Sequence, residues 1–153
     1  MGEKSCVFIG HRETNDGVLP ELEKCVERLI CEEGVLYFYV GCYGGFDRLA
    51  ATAVKNLKGK YPAVCLFMVL PYHPAERTVE LSPGFDGSYY PEGMESVPRR
   101  YAIVRANRKM VEDCDWLVCY VRHGASNSRN LLEYAKKREE KGLIQIENLA
   151  EKM

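Results

Sequence analysis

Along this chain, short runs that are apolar at nearly every position alternate with longer stretches in which apolar residues recur at every third or fourth place. Residues 6–10, 35–40, 63–70, 117–121 and 143–146 are runs of the first kind. They are short, mostly rich in β-branched and aromatic residues, and punctuated by glycine or proline, which predicts strands buried on both faces. Between the first two, Val18, Leu22, Cys25, Val26, Leu29 and Ile30 mark one face of a helix. Asn15 and Asp16 offer its cap, Pro20 lies in its first turn, and Gly34 closes it. Phe46, Leu49, Ala50, Ala53, Val54 and Leu57 mark a second helix, ended by residues 58–62. A third starts at Ser96 and Pro98 and runs to about Asp113. A fourth spans residues 126–141, with Leu131, Leu132 and Ala135 facing inward and Gly142 as its stop. A short terminal helix follows the last strand.

Residues 75–97 break this rhythm. They hold Pro83, Gly84, Gly87, Pro91 and Gly93 together with Tyr89 and Tyr90, and read as a long loop, a feature that is usually functional or disordered inside a compact domain. Elsewhere the alternation of strands and helices implies parallel pairing through right-handed crossovers. The expected fold is one α/β domain over residues 1–153. It is a three-layer, Rossmann-like sandwich whose mostly parallel sheet of about five strands carries helices on both faces.

In such a sheet the segments that follow the strands converge on one edge, where open α/β sheets bind ligands. Here those segments carry Gly10, His11 and Arg12; then Gly41, Gly44, Gly45, Phe46 and Asp47; then Pro71 and Tyr72; and finally Gly124, Ser126, Asn127 and Ser128. Glycine turns that lead into helices expose backbone N–H groups at the positive end of the helix dipole, and both favour an anion. Each feature also has a structural reading. The glycines lack dinucleotide-fingerprint spacing, no Walker lysine follows them, and they serve equally as plain turns. Asp47 suits a helix cap or a ribose hydroxyl, and Ser126 to Ser128 suit a cap or a phosphate. Asn107 and Arg108 sit in a basic helix with Arg99, Arg100, Arg105 and Lys109, which is ordinarily a solvated face. Glu133 reads first as an exposed helix residue.

The 153 residues carry a formal net charge of −1, so no global basic field exists to hold a nucleic-acid backbone. The longest apolar stretch, residues 63–70, is too short to cross a bilayer, and the N-terminus has no secretory leader, so a cytoplasmic protein with no membrane partner is expected. Seven cysteines are scattered without a C-x-x-C pair and are expected to be reduced, mostly buried thiols. With only His11, His73 and His123 to accompany them, no metal site is expected, and no cofactor is called for.

The motifs in series resemble the SLOG superfamily, in particular its YpsA-like branch. They are Phe8-Ile-Gly-His-Arg12, Gly41-x-x-Gly-Gly-Phe-Asp47 with Leu49-Ala50-Ala51, Leu70-Pro71-Tyr72, Arg105-Ala-Asn-Arg-Lys-Met110, Asp115-Trp-Leu-Val, and Glu133-Tyr134-Ala135-Lys136. The resemblance implies a fold related to the DNA-processing protein A and to the "lonely guy" phosphoribohydrolases, and a nucleotide or nucleotide-derived ligand. Some such relatives hydrolyse the N-glycosidic bond of a nucleoside monophosphate, and others act as sensors. In the hydrolases P-G-G-x-G-T-x-x-E follows the fourth strand. Here only Gly124 matches, Ala125 replaces a second glycine, and Glu133 fits the carboxylate only with shifted spacing.

Three functions therefore stay open. A binding or sensing domain would cradle phosphate and ribose with the edge residues and close Tyr89 and Tyr90 over a base. A nucleotide N-glycosidase would use Asp47 and Glu133, and His11 as a further candidate, as its acid and base. A nucleic-acid or protein interaction module would use the basic 99–109 helix. Self-association is compatible with each.

Overall fold

The structure, a computed structural model, describes residues 3–42, 44–122 and 126–152. Six strands form one sheet: β1 (Lys4–Gly10), β2 (Val35–Val40), β3 (Cys65–Val69), β4 (Gly87–Tyr89), β5 (Trp116–Tyr120) and β6 (Gln145–Asn148). Four helices accompany them: α1 (Leu19–Glu33), α2 (Gly45–Lys58), α3 (Ala102–Asp113) and α4 (Asn127–Glu140). The spatial order is β4-β3-β2-β1-β5-β6, and every pairing is parallel. This is the expected three-layer α/β sandwich with a Rossmann-like sheet, one strand larger than expected.

The extra strand is β4, inside the segment expected to be a loop. Three residues containing glycine and serine show no period that marks a strand, and they pair only as a short edge. Asp86 fastens them. Its N–H donates to the Leu66 carbonyl at 2.8 Å, and its carboxylate accepts from the Leu66 N–H at 2.8 Å and from Lys58. Tyr89 packs edge-on against Tyr39 at 5.7 Å, and Tyr90 against His73 at 5.3 Å, so both rings brace the sheet edge. Smaller differences occur at the ends. Asn15 caps a short 3-10 turn at Asp16–Val18 that leads into α1, and a second 3-10 turn at Arg99–Tyr101 precedes α3. Gly34 closes α1 in the left-handed conformation, φ 74°.

Alternate residues of β1 serve opposite layers. Cys6 and Phe8 pack under α1 and α2 with Leu22, Val26, Leu29, Phe46 and Ala50. Val7 and Ile9 pack under α3 and α4 with Ala106, Met110, Leu131 and Leu132. The first layer is tied by aromatic rings: Phe8 lies 5.9 Å from Phe38 and 6.5 Å from Phe46, which in turn stacks on Tyr120 at 6.3 Å. Phe46, a candidate ligand contact in the sequence, is thus wholly buried beneath Gly10. A Cβ at Gly10 would stand 2.4 Å from the Phe46 ring.

Four of the seven cysteines, Cys6, Cys25, Cys114 and Cys119, are buried, whereas Cys31 and Cys42 are exposed. Burial pushes the Cys25, Cys114 and Cys119 thiols up to about 12, and the Cys6 thiol well above its usual value, so these stay protonated apolar fillers.

At the far edge of the sheet, Glu147 of β6 accepts from Arg28 of α1 and from Lys152, latching the first helix to the last strand. Its burial alone would raise the carboxyl, but the Lys152 and Arg28 hydrogen bonds outweigh that and hold it below the ordinary range.

Two outcomes follow for stability. Gly10→Ala forces its methyl into the Phe46 ring and should cost about 1–3 kcal/mol in urea denaturation, lowering the melting temperature by roughly 2–4 °C per kcal/mol. Because the Glu147 carboxyl is depressed in the fold, its contribution is full above the unfolded-state value and is lost as pH falls through the folded one. Melting temperature against pH should therefore drop less steeply on the acid side in Glu147→Gln than in the parent, and parallel curves would refute the latch.

Candidate functional site

From β1 the chain steps outward through β2, β3 and β4, then returns to place β5 on the other flank of β1. The strand order reverses at β1, and a doubly wound sheet opens a crevice beyond the carboxyl ends at such a point. A cleft of about 350 Å³ lies there. Gly10, His11 and Arg12 from the end of β1 form its floor, with Gly41 and Asp47 beyond β2 and Pro71 beyond β3. Arg100, Ile103, Val104, Ala106 and Asn107 line the α3 wall, and Ser126, Asn127, Ser128 and Leu131 line the α4 wall.

The glycine turn proves to be a packing device. The Gly45 N–H donates to the Arg12 carbonyl at 2.6 Å, and the Phe46 N–H to the His11 carbonyl at 3.4 Å. Two first-turn donors of α2 are thereby spent on the main chain that follows β1, and neither points at a ligand. The two segments touch so closely that a Cβ at Gly44 would stand 2.8 Å from the Arg12 Cα, and one at Gly45 would stand 2.8 Å from the Arg12 carbonyl oxygen. Gly44 also holds φ 129°, where a side chain is strained. These glycines are therefore required by loop-on-loop contact.

The α4 terminus is arranged differently. The Ser126 hydroxyl caps the helix by accepting from the Arg129 N–H at 3.0 Å, and the Ser128 hydroxyl donates to the Gly10 carbonyl at 3.0 Å. Ser128 thus ties the start of α4 to the end of β1. The first-turn N–H groups of Asn127 and Ser128 have no acceptor within the helix and sit at its positive pole. Gly124, with His123 and Ala125, lies outside the described residues.

His11 is buried at 8% exposure. Its Nε2 accepts from the Arg122 N–H at 2.8 Å, and its ring meets Tyr120 edge-on at 6.4 Å. An accepting Nε2 carries no proton, so in this arrangement the imidazole positions the segment after β5. Asp47 is half-buried in the first turn of α2. A Cβ at Gly41 would stand 2.9 Å from its Oδ2, so the absence of a side chain there leaves the carboxylate room at the cleft. Asp47 is the one carboxylate among the described lining residues.

Other candidates stand away from the cleft wall. Glu133 is exposed and paired with Arg129 at 3.5 Å and Lys136 at 3.9 Å. Tyr72 meets two cations, with Arg77 at 4.4 Å and Arg99 at 5.3 Å from its ring. Arg108 lies 4.2 Å over the Tyr134 ring. Sequence reasoning did not include Arg100, Ile103, Val104, Ala106 or Leu131 in the site. In the sequence Arg100 stands out only as part of a basic helix, Ala106 only within the Arg105 to Met110 motif and Leu131 only as inward-facing; their place in the site becomes meaningful once both helices are known to begin at the ligand edge of the sheet.

No model of a known protein family matches the chain, and no curated protein matches it. Among the described residues no cluster of three or more histidine, cysteine, aspartate or glutamate side chains could hold a metal ion, and no helix is long and apolar enough to cross a membrane.

The stitching of the two loops is open to test. Gly44→Ala must carry both a strained φ and an overlap with Arg12, and should cost about 1–3 kcal/mol in chemical denaturation. A variant as stable as the parent would show that the turn tolerates a side chain.

Proposed function

We propose that the cleft beside β1 binds the phosphate and ribose of a nucleotide or nucleotide-derived ligand, and that the chain is a binding or sensing domain. The observation that carries this reading is the mixed polarity of the cleft. Its lining brings the α4 terminus, Arg12 and Arg100 together with the Asp47 carboxylate, and Arg12 and Asp47 share the side where the chain after β1 packs on the first turn of α2. N–H donors at a helix start together with arginine suit a phosphate. A carboxylate a short way off suits the hydroxyl pair of a sugar. The volume, about 350 Å³, sits in the range of roughly 300–1,000 Å³ common for small-molecule sites. The same reading agrees with placing the chain in the YpsA-like branch of the SLOG superfamily, a membership proposed from the order of its motifs.

A hydrolytic reading shares this site and rests on Asp47 as the acid or base. It draws nothing from Glu133, whose carboxylate is engaged at the surface with Arg129 and Lys136. Release of free adenine from AMP, abolished in Asp47→Asn, would favour it. The nucleic-acid reading is weaker, because Arg99 is paired with Glu76 and a net charge of −1 supplies no general field to add to the exposed Arg100, Arg105 and Arg108.

Titration calorimetry with ribose 5-phosphate tests the binding reading. The parent should bind it, and Arg12→Ala should weaken binding by roughly tenfold to a hundredfold, the scale of one lost charge-assisted hydrogen bond of about 1.5–3 kcal/mol. Asp47→Asn should weaken it as well. Absence of heat and of thermal stabilisation at millimolar ribose 5-phosphate would overturn the proposal.

A further inference from the structure

A second cavity, of about 490 Å³, lies on the other side of the turn between Gly41 and Asp47. It shares Arg12, Gly41 and Asp47 with the first cleft, and it lies beneath the opposite face of the sheet, between α2, β3 and the chain that leads into β4. Its distinctive lining is Ala51, Thr52 and Lys55 from α2, Met68 from β3, and Ser82 and Phe85 from that chain. Beyond the shared residues, the first cleft adds the α4 terminus and Arg100, whereas the second adds the apolar Ala51, Met68 and Phe85 together with the hydroxyls of Thr52 and Ser82 and the cations Arg48 and Lys55.

The outer wall is built. Lys55 donates to the Ser82 hydroxyl at 2.8 Å and lies 4.6 Å over the Phe85 ring. Lys58 donates to the Gly84 carbonyl at 2.9 Å and pairs with Asp86. Gly84 holds φ 103°, and a Cβ there would stand 2.9 Å from the Lys55 side chain, so the loop is drawn tightly down onto α2. This fixes Phe85 at the cavity without help from a ligand.

The two cavities share a wall formed by Arg12, Gly41 and Asp47. Because Gly41 has no side chain, a ligand whose sugar hydroxyls bond Asp47 can reach into both. We infer that the second cavity is the base subsite of the ligand proposed above. The phosphate lies toward α4, the ribose straddles the ridge of Gly41 and Asp47, and a nucleobase occupies the space among Ala51, Thr52, Met68 and Phe85. A flat base with polar edges matches a chamber that sets the apolar Ala51, Met68 and Phe85 beside hydroxyls and the cations Arg48 and Lys55. Tyr89 and Tyr90, the rings expected to cover a base, are committed to the sheet edge, and Met68 and Phe85 take that place. The inference rests on the nucleotide reading of the first cleft and names which part of the ligand goes where.

The test compares ribose 5-phosphate with AMP, which differ by the base alone. AMP should bind the parent about tenfold more tightly or better, the scale of stacking one base. Thr52→Trp puts an indole into the chamber from a partly exposed helix position. It should bring AMP down to the affinity of ribose 5-phosphate while leaving ribose 5-phosphate unchanged. In the unmodified protein, labelled with ¹³C at the methionine methyl groups and assigned with Met68→Leu, the Met68 resonance should shift on adding AMP and stay in place with ribose 5-phosphate. If AMP binds no better than ribose 5-phosphate, or binds better with Met68 and the Thr52→Trp variant indifferent, the base lies elsewhere and the subsite is wrong while the first cleft stands. If neither compound binds, both proposals fall.

Discussion

The contact on which the site depends is the close approach of the chain after β1 to the first turn of α2. Gly10 lies directly over the Phe46 ring, and the Gly45 N–H closes onto the Arg12 carbonyl at 2.6 Å. Side chains at Gly10, Gly44 or Gly45 would hold these segments apart. Through this one junction the buried aromatic layer of Phe38, Phe8, Phe46 and Tyr120 is joined to the exposed edge where Arg12 and Asp47 face solvent and cleft. The interior thereby fixes the spacing of two functional candidates that stand far apart in the chain.

A second set of ties completes the edge from the other flank. Ser128 bonds the Gly10 carbonyl, and His11 accepts from the Arg122 N–H. Polar side chains that read as ligand contacts in sequence are partly occupied in holding loops to one another. The same group can do both: a Ser128 hydroxyl that donates to Gly10 still has lone pairs, and the helix it anchors still presents its N–H groups. The result is an edge prepared before any ligand arrives, which is how a rigid α/β scaffold limits the ordering cost of binding.

The segment between β3 and α3 shows how an irregular stretch gains a role from its surroundings. Composition alone presents prolines, glycines and tyrosines without a period. In the fold, Asp86 hooks it to Leu66, Lys55 and Lys58 hold the loop ahead of β4, and the strand covers what would otherwise be the free edge of β3. Its tyrosines reinforce the sheet, and its phenylalanine lines the second cavity.

The strand order came from the structure, but local periodicity determined the helices, the five longer strands and their parallel pairing, because burial on one face of a helix or both faces of a strand imprints the sequence directly. It also brought Gly10, Arg12, Gly41, Asp47 and Ser126 to Ser128 to one edge, since parallel strands must all end there. Tertiary structure decided the rest. Whether the glycines after β2 cradle an anion or admit a neighbouring loop depends on where the Arg12 carbonyl lies, a residue more than thirty positions away. Whether Glu133 and Arg108 face a ligand or a neighbour depends on the rotation of their helices against the sheet. Arg100 joins the cleft and Phe85 the second cavity only because distant segments converge on them. Periodicity reports which side of an element is buried; it carries no information on which polar atoms of other elements will meet the exposed side, and that meeting makes the site.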